Sequence, residues 1–275
     1  MAVLSVSSQV AQGYVGNSAT AYALRRLGHD VWDIPTVVLS HHPGHGRPAG
    51  LRLPAETVAE MIGSVIARER PAAFFSGYLA DAANAGVIAE RVSGFRRERA
   101  LPYILDPVMG DDHTGLYVDA AIADAIRQKL VPLATILLPN RFELDHLAGQ
   151  KTETLEQCVA ASRTLIEAGP DAVICTSAPA EPGRIRTLAV TARDAWFVEM
   201  SEVPSAPHGT GDLFAGVFMA KWLDGAPLQE AMGYAAGAVH AVAAWSRAIG
   251  KDDLALAEAQ SGLNEPPVLP DIERV

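Results

Sequence analysis

Short runs of Val, Ile, Leu and Phe recur along the chain, separated by longer stretches in which apolar residues return every three or four positions. The runs predict strands over 2–6, 31–39, 72–76, 103–106, 135–138 and 172–176, because branched and aromatic residues fit a pleated, buried surface. The helical spacing predicts helices over 17–27, 54–70, 81–99, 119–130 and 154–168, and two more over 211–223 and 227–249. Strand and helix in alternation imply an α/β fold, a mainly parallel sheet covered by helices on both faces. Two extended stretches, 185–191 and 195–200, flank Ala192-Arg193-Asp194 and predict a hairpin at a sheet edge. From about residue 252, with Pro266, Pro267 and Pro270, the pattern fades into a tail laid over the surface or partly disordered. Neither an internal repeat nor a linker interrupts this rhythm, so 1–275 reads as a single domain.

In parallel sheets, ligands collect at the carboxyl ends of the strands. Here those ends are polar: Ser7, Ser8 and Gly13-Tyr14-Val15-Gly16-Asn17 after the first, Ser76-Gly77-Tyr78 after the third, Asp106-Pro107-Val108-Met109-Gly110-Asp111-Asp112 after the fourth. Pro139-Asn140-Arg141-Phe142-Glu143 and Thr176-Ser177 follow the next two. Gly209-Thr210-Gly211-Asp212 opens the helix that carries Leu213, Phe214, Val217, Phe218 and Trp222 on its apolar positions. Free amides at such an N-terminus attract phosphate, and the glycines let the backbone approach it. A carboxylate there repels phosphate unless it serves another purpose, and a general base is such a purpose. Alternatively the tetrad is a loop with an acidic residue in the first helical turn.

A nucleoside triphosphate gives each rim group a use. Asp106, Asp111 and Glu143 are hard oxygen ligands or water-holders for Mg²⁺, and Asn140 can hold one of its waters. Thr176 and Ser177 can donate to phosphate oxygens, and Leu138 counts with the same nucleotide-contacting rim. Structural uses stand beside these: Asn140 and Glu143 also fit a capping box for a helix through Leu147, Asp111-Asp112-His113 a solvated turn, and Tyr78 a plain rim aromatic. His41, His42 and His45 lie among Pro43, Gly44, Gly46 and Pro48, which favours a mobile loop over a structural metal site.

Composition excludes several classes. The 275 residues are 49% hydrophobic and 20% charged, ordinary globular proportions. A net charge of −10 and a pI near 5.2 argue against a nucleic-acid partner. Cys158 and Cys175 have no CxxC spacing, which fits a reducing cytoplasm. No signal-peptide pattern or bilayer-length apolar run occurs, so no membrane role is expected.

Taken in order, Gly13-x-x-Gly16-Asn17-Ser18-Ala19, Ser76-Gly77-Tyr78-Leu79, Asp106-Pro107-Val108-Met109-Gly110-Asp111, Pro139-Asn140-x-x-Glu143 and Gly209-Thr210-Gly211-Asp212 resemble the pyridoxal kinases of the ribokinase-like superfamily. The resemblance runs from Ala2 to about Ile249. It implies a three-layer αβα sandwich without the separate β-lid of ribokinase, and transfer of the γ-phosphoryl of ATP to the 5′-hydroxymethyl of pyridoxal. By the same resemblance Asp212 is the catalytic base, and Gly209, Thr210 and Gly211 form the anion hole. Ser8 contacts the pyridine ring, and Val15 and Tyr78 wall the pocket. Asp106, Asp111, Asn140 and Glu143 make the metal and phosphate network, with a monovalent cation such as K⁺ beside Mg²⁺, and Thr176 contacts the nucleotide phosphates. A homodimer is implied, and a loop over 41–52 covers the site. The chain departs from the family where many members read Ser-Asn-His-Thr: it has Ser40-His41-His42-Pro43 and lacks the threonine hydroxyl. Gln12 also stands where tyrosine is common. Neither cysteine lies beside Gly209 to Asp212, which weakens a hydroxymethylpyrimidine kinase reading. Two alternatives remain, a kinase of this fold acting on hydroxymethylpyrimidine or another small alcohol, and a non-catalytic pyridoxal-binding protein.

Overall fold

A computed structural model of the chain describes the backbone of residues 1–98 and 101–275. The first half runs β1 (Ala2–Val10), α1 (Asn17–Arg26), β2 (Asp30–Leu39), β3 (Gly50–Arg52), α2 (Ala55–Ile66), β4 (Ala73–Ser76), α3 (Ala82–Glu98) and β5 (Tyr103–Leu105). A small hairpin, β6 (Gly110–Asp111) and β7 (Gly115–Leu116), leads to α4 (Ala120–Ala125), β8 (Ile136–Leu137), α5 (Arg141–Ala148) and α6 (Leu155–Glu167). The rest comprises β9 (Ala172–Ala178), β10 (Arg184–Thr191), β11 (Ala195–Ser201), α7 (Thr210–Leu223), α8 (Leu228–Ala248), α9 (Gln260–Asn264) and β12 (Glu273–Arg274).

One ten-stranded sheet has the order β12-β11-β10-β9-β8-β5-β4-β1-β2-β3. Its centre, from β9 through β2, is parallel, and the strands added at both ends are antiparallel. Successive side chains point to opposite faces, which sorts the core into two layers. Phe74, Val173 and Cys175 face α2 to α6, whereas Phe75 and Ile174 face α1, α7, α8 and α9. This is the expected three-layer sandwich, and the sole other ladder among the described residues is the β6-β7 pair, so no separate β-lid is present there.

Several expectations need correction. The first strand continues to Val10, so Ser7 and Ser8 lie within it, at an irregularity in the β1–β2 register between Ser7 and Gln9. Polar residues persist there because β2 offers a ladder of matching length. The 41–52 segment is not simply loop: a 3₁₀ turn spans Pro43–His45, and β3 pairs antiparallel with β2. The C-terminal segment is built in rather than loose, since Leu254, Leu256 and Leu263 are buried and β12 extends the sheet beyond the β10–β11 hairpin. Helix α4 passes into a π turn at Ile126–Leu130 and a 3₁₀ turn at Val131–Leu133. The expected helix end at Arg99 falls outside the described residues.

The chain leaves β1 toward β2 on one side and returns to β4 on the other. This reversal opens a crevice past the carboxyl ends of β1 and β4, where ligands sit in doubly wound sheets. Asn17, fully buried at the start of α1, pins that end: its amide donates to the carbonyls of Ser7 (3.3 Å) and Ile34 (3.2 Å), and it accepts the Ser5 hydroxyl at 2.6 Å.

Candidate active site

Gly209 caps α7 with φ +93°, and a Cβ there would lie 2.0 Å from the Tyr14 carbonyl oxygen. A side chain at this position is therefore excluded twice, by backbone conformation and by space. No side chain caps the helix, so the first-turn amides are free for a ligand. Gly211 has open space where its Cβ would stand. The helix is fixed from behind, because the Thr20 hydroxyl donates to the Asp212 carbonyl at 2.9 Å and Gly216 admits the α1 backbone to close contact. Apolar residues cover α7 on nearly all sides because it lies between the sheet, α1 and α8.

The Asp212 carboxyl, half-buried at the start of α7, has a pKa pushed up to about 6 by burial, against a lowering hydrogen bond from the Gly16 amide. A base of this strength is ionised at neutral pH yet basic enough to take an alcohol proton. Ser8 belongs beside it: a Cβ on Gly16 would meet the Ser8 hydroxyl oxygen at 2.2 Å. Val15 lies against Gly209, with its Cγ1 3.2 Å from where a Cβ would be. Tyr78, half-buried, is tied to β1 by its amide, which donates to the Ser7 hydroxyl at 3.1 Å, and its carbonyl accepts from Thr36 at 2.8 Å. Ser8 and Val15 thus lie against Gly16 and Gly209, the glycines next to Asp212.

Asp212 is also within electrostatic reach of another buried carboxyl group, Asp106. Asp106 is buried and its pKa lies well above the carboxylate range, through burial, then Glu143, then Asp212. Glu143, 3% exposed, has a pKa of about 7: burial raises it, and hydrogen bonds from the amides of Asn140, Met109 and Gly110 offset part of that rise. Its Oε1 accepts from Met109 and its Oε2 from Asn140, both at 2.9 Å. Asn140 completes the capping box, accepting the Glu143 amide at 2.9 Å, while its own side-chain amide reaches the Gly110 carbonyl at 2.8 Å. The structural reading of this pair is thus correct, and the box also holds Glu143 next to Asp106.

Asp111 lies near enough to Glu143 to raise its pKa, but its own carboxylate is engaged in a turn. Its carboxylate accepts from the amides of His113 (2.9 Å) and Thr114 (2.7 Å), the expected turn. Burial pushes its pKa up, but these bonds outweigh it and leave the pKa low. Asp112 is engaged by Arg141. Leu138 is 5% exposed in the apolar layer with Ile136 and Ile174, and its amide donates to Leu105, so its side chain is core. Thr176 bridges to Asn140 across the ends of β9 and β8, and Ser177, exposed, has φ +56°. A non-glycine residue held there is a local strain of the sort binding loops carry.

Sequence reasoning missed Tyr117. The residue is 47% exposed, but its hydroxyl pKa is raised by desolvation and then by the charges of Glu143, Asp106, Asp212 and Asp111, which places it within electrostatic reach of the acidic groups. Nothing in the pattern marked it, since it follows the small hairpin rather than a sheet strand. The His42 and His45 rings meet His208, and among the described residues no group of three or more His, Cys, Asp or Glu could hold a metal ion. A groove of about 710 Å³ beside β1 and α1 contains none of the site carboxylates.

Comparison with known proteins supplies the family. A family described as phosphomethylpyrimidine kinase matches residues 44–256. A pyridoxal kinase of Rubrobacter xylanophilus is 37% identical over 282 residues, covering 99% of this chain and 97% of the relative. The chain belongs to the pyridoxal kinase family. Within that family, a pyridoxine/pyridoxal/pyridoxamine kinase of Bordetella avium is 40% identical over 84% of the chain and 80% of its own length. The pyridoxal kinase of Leishmania donovani, solved with ADP and pyridoxamine, superposes with a TM-score of 0.94 at 25% identity, covering 100% of this chain and 99% of that one. Pyridoxal kinase architecture thus extends along the whole of this chain.

Proposed function

We propose that this protein transfers the γ-phosphoryl group of ATP to the 5′-hydroxymethyl of pyridoxal, giving pyridoxal 5′-phosphate. The observation that carries the reading is Asp212, a base with a pKa near 6 in the first turn of an uncapped helix whose N-cap admits only glycine. The acceptor hydroxyl gives its proton to Asp212 as its oxygen attacks the γ-phosphorus, and the amides after Gly209 stabilise the charge on the transferred group. Ser8, Val15 and Tyr78 border the acceptor, while Thr176, Ser177, Asn140 and the backbone at Leu138 lie on the nucleotide side. Tyr117 joins them as a donor to phosphate.

Asp106 and Glu143 suit a divalent cation, because both are buried carboxyl groups with raised pKa values, Glu143 adding to the rise at Asp106 and Asp111 to that at Glu143, and a cation relieves such a field. Mg²⁺ bound there would neutralise phosphate charge in the transfer, with Asp111 at its margin and a monovalent cation such as K⁺ beside it. The same reading makes the chain a single kinase domain, homodimeric and cytoplasmic, with no nucleic-acid or membrane partner.

The matching family's description makes hydroxymethylpyrimidine the competing acceptor. Incubation with Mg-ATP and K⁺, offering pyridoxal, pyridoxine, pyridoxamine, hydroxymethylpyrimidine and ribose separately, decides by product mass. Pyridoxal 5′-phosphate is the expected product. Exclusive phosphorylation of hydroxymethylpyrimidine or ribose would move the substrate, and pyridoxal retained without turnover would make this a binding protein.

A further inference from the structure

Four chain segments meet around His208, the residue immediately before Gly209. The His42 ring lies over the His208 ring with centroids 4.2 Å apart and planes inclined by 33°. His45 stands edge-on to both, 6.4 Å from His42 and 6.2 Å from His208. Asp253, from the C-terminal segment, pairs with His45 at 3.1 Å, bridges the His208 backbone and sits against Gly13. Gly44 lies against both rings: a Cβ there would lie 2.6 Å from the His208 Nε2 and 2.9 Å from the His42 Nδ1. None of these side chains belongs to the catalytic set, yet together they fasten the 41–49 segment to the turn that opens α7.

We propose that His42 and His208 are positioning residues whose stacked rings dock the 41–49 segment on the anion-hole turn and so set the affinity for the acceptor alcohol. This rests on the kinase reading above. The groups facing His42 are His208, His45 and Asp253, and burial, then the two imidazoles, bring its pKa to about 4 against the pull of Asp253. His42 is accordingly neutral at physiological pH, so it can lie over a second imidazole without charge repulsion. Proline at position 43 fits the same design, since it starts the 3₁₀ turn that presents the His42 ring. The ring of His42 thereby supplies contact in a segment that lacks the family's threonine hydroxyl.

His42 also accepts the Gly44 amide at 3.1 Å, so stacking must be separated from turn capping. His42→Asn keeps an acceptor and removes the ring; His42→Phe keeps a ring and removes the acceptor. Stacking predicts that His42→Asn and His208→Ala each raise the acceptor KM about three- to tenfold, with kcat within about twofold and ADP affinity unchanged. It further predicts that His42→Phe stays near wild type and that the double variant is no worse than the worse single one. Amide exchange over 41–49 in the resting protein should accelerate in both disruptive variants. Normal behaviour of His42→Asn with failure of His42→Phe, additive effects, or unchanged exchange would each overturn the proposal. Exchange needs no turnover, so a wild-type protein inactive on every vitamer would defeat the kinase reading while leaving the clasp to be decided by that measurement.

Discussion

At the scale of single residues, Asp212 and Gly209 carry the strongest expectations. With a pKa near 6, Asp212 is protonated in acid and a base above that range, so kcat/KM for the acceptor should fall with a single protonation as pH drops through about 6. Asp212→Asn should lower kcat by about two to four orders of magnitude and leave ADP affinity nearly intact. Its stability has the opposite sign. A carboxyl whose pKa is raised on folding favours the fold below its unfolded value, and that advantage disappears as pH rises through about 6. Above that range the wild type carries a half-buried charge that asparagine lacks, so Asp212→Asn should be about 1–3 kcal/mol more stable at pH 8 and no more stable near pH 3. Denaturant titrations at both values check this, and equal stability at pH 8 would place the carboxyl in a more solvated setting. Gly209→Ala meets φ +93° and the Tyr14 carbonyl at 2.0 Å, so it should lose about 3 kcal/mol or more together with activity. Sequence inspection could single out both residues because glycine before a helix and an acid in its first turn are local facts. It missed Tyr117 and His208, whose neighbours come from distant segments, and no local pattern encodes such meetings.

At the scale of elements, α5 does two things with one motif. The Asn140–Glu143 box ends the helix's unsatisfied amides, and because the Glu143 carboxylate also accepts from Met109, it ties α5 to the loop after β5. Glu143→Gln keeps the side-chain volume and one acceptor oxygen; Glu143→Ala leaves buried amides without partners. The alanine variant should lose about 2–4 kcal/mol of stability. Both should require more Mg²⁺ for half-maximal activity, which a metal titration reads directly; an unchanged titration in the glutamine variant would leave Glu143 only its cap. Element existence was legible because apolar spacing and burial coincide in α1, α6 and β9. Element ends were less so. Ser7-Ser8-Gln9 has no apolar signal, yet β1 runs through it because β2 continues alongside. The final strand β12 is two polar residues long and exists because β11 offers an edge, information that lies outside its own sequence.

At the scale of the whole molecule, the parallel sheet brings strand ends from β1, β4, β5, β8 and β9 to one rim, and so concentrates acidic groups that the rest of the chain keeps apart. Asp106, Glu143 and Asp212 all have raised pKa values, and no Lys or Arg charge enters the causes of any of them. The fold therefore tolerates a site that destabilises it once ionised, a pattern expected where binding of cation and phosphate restores the balance. Lowering pH from 8 to 5.5 protonates much of this cluster, so its unfavourable contribution should diminish. The overall charge of −10 also shrinks on acidification and moves stability in the same direction, so a pH series on the wild type alone cannot isolate the site. Asp106→Asn removes one member of the cluster and changes the net charge by a single unit. The stability gain from this variant should be larger at pH 8, where Asp212 and Glu143 are ionised beside position 106, than at pH 5.5, where they are largely neutral. Mg-ADP should raise Tm more at pH 8 than at pH 5.5 in the wild type and lose much of that difference in Asp106→Asn. A pH-independent gain from the substitution would mean that Asp106 is already neutral across this range, and the divalent cation would then have to be held by Glu143 and the nucleotide phosphates rather than by the carboxylate pair.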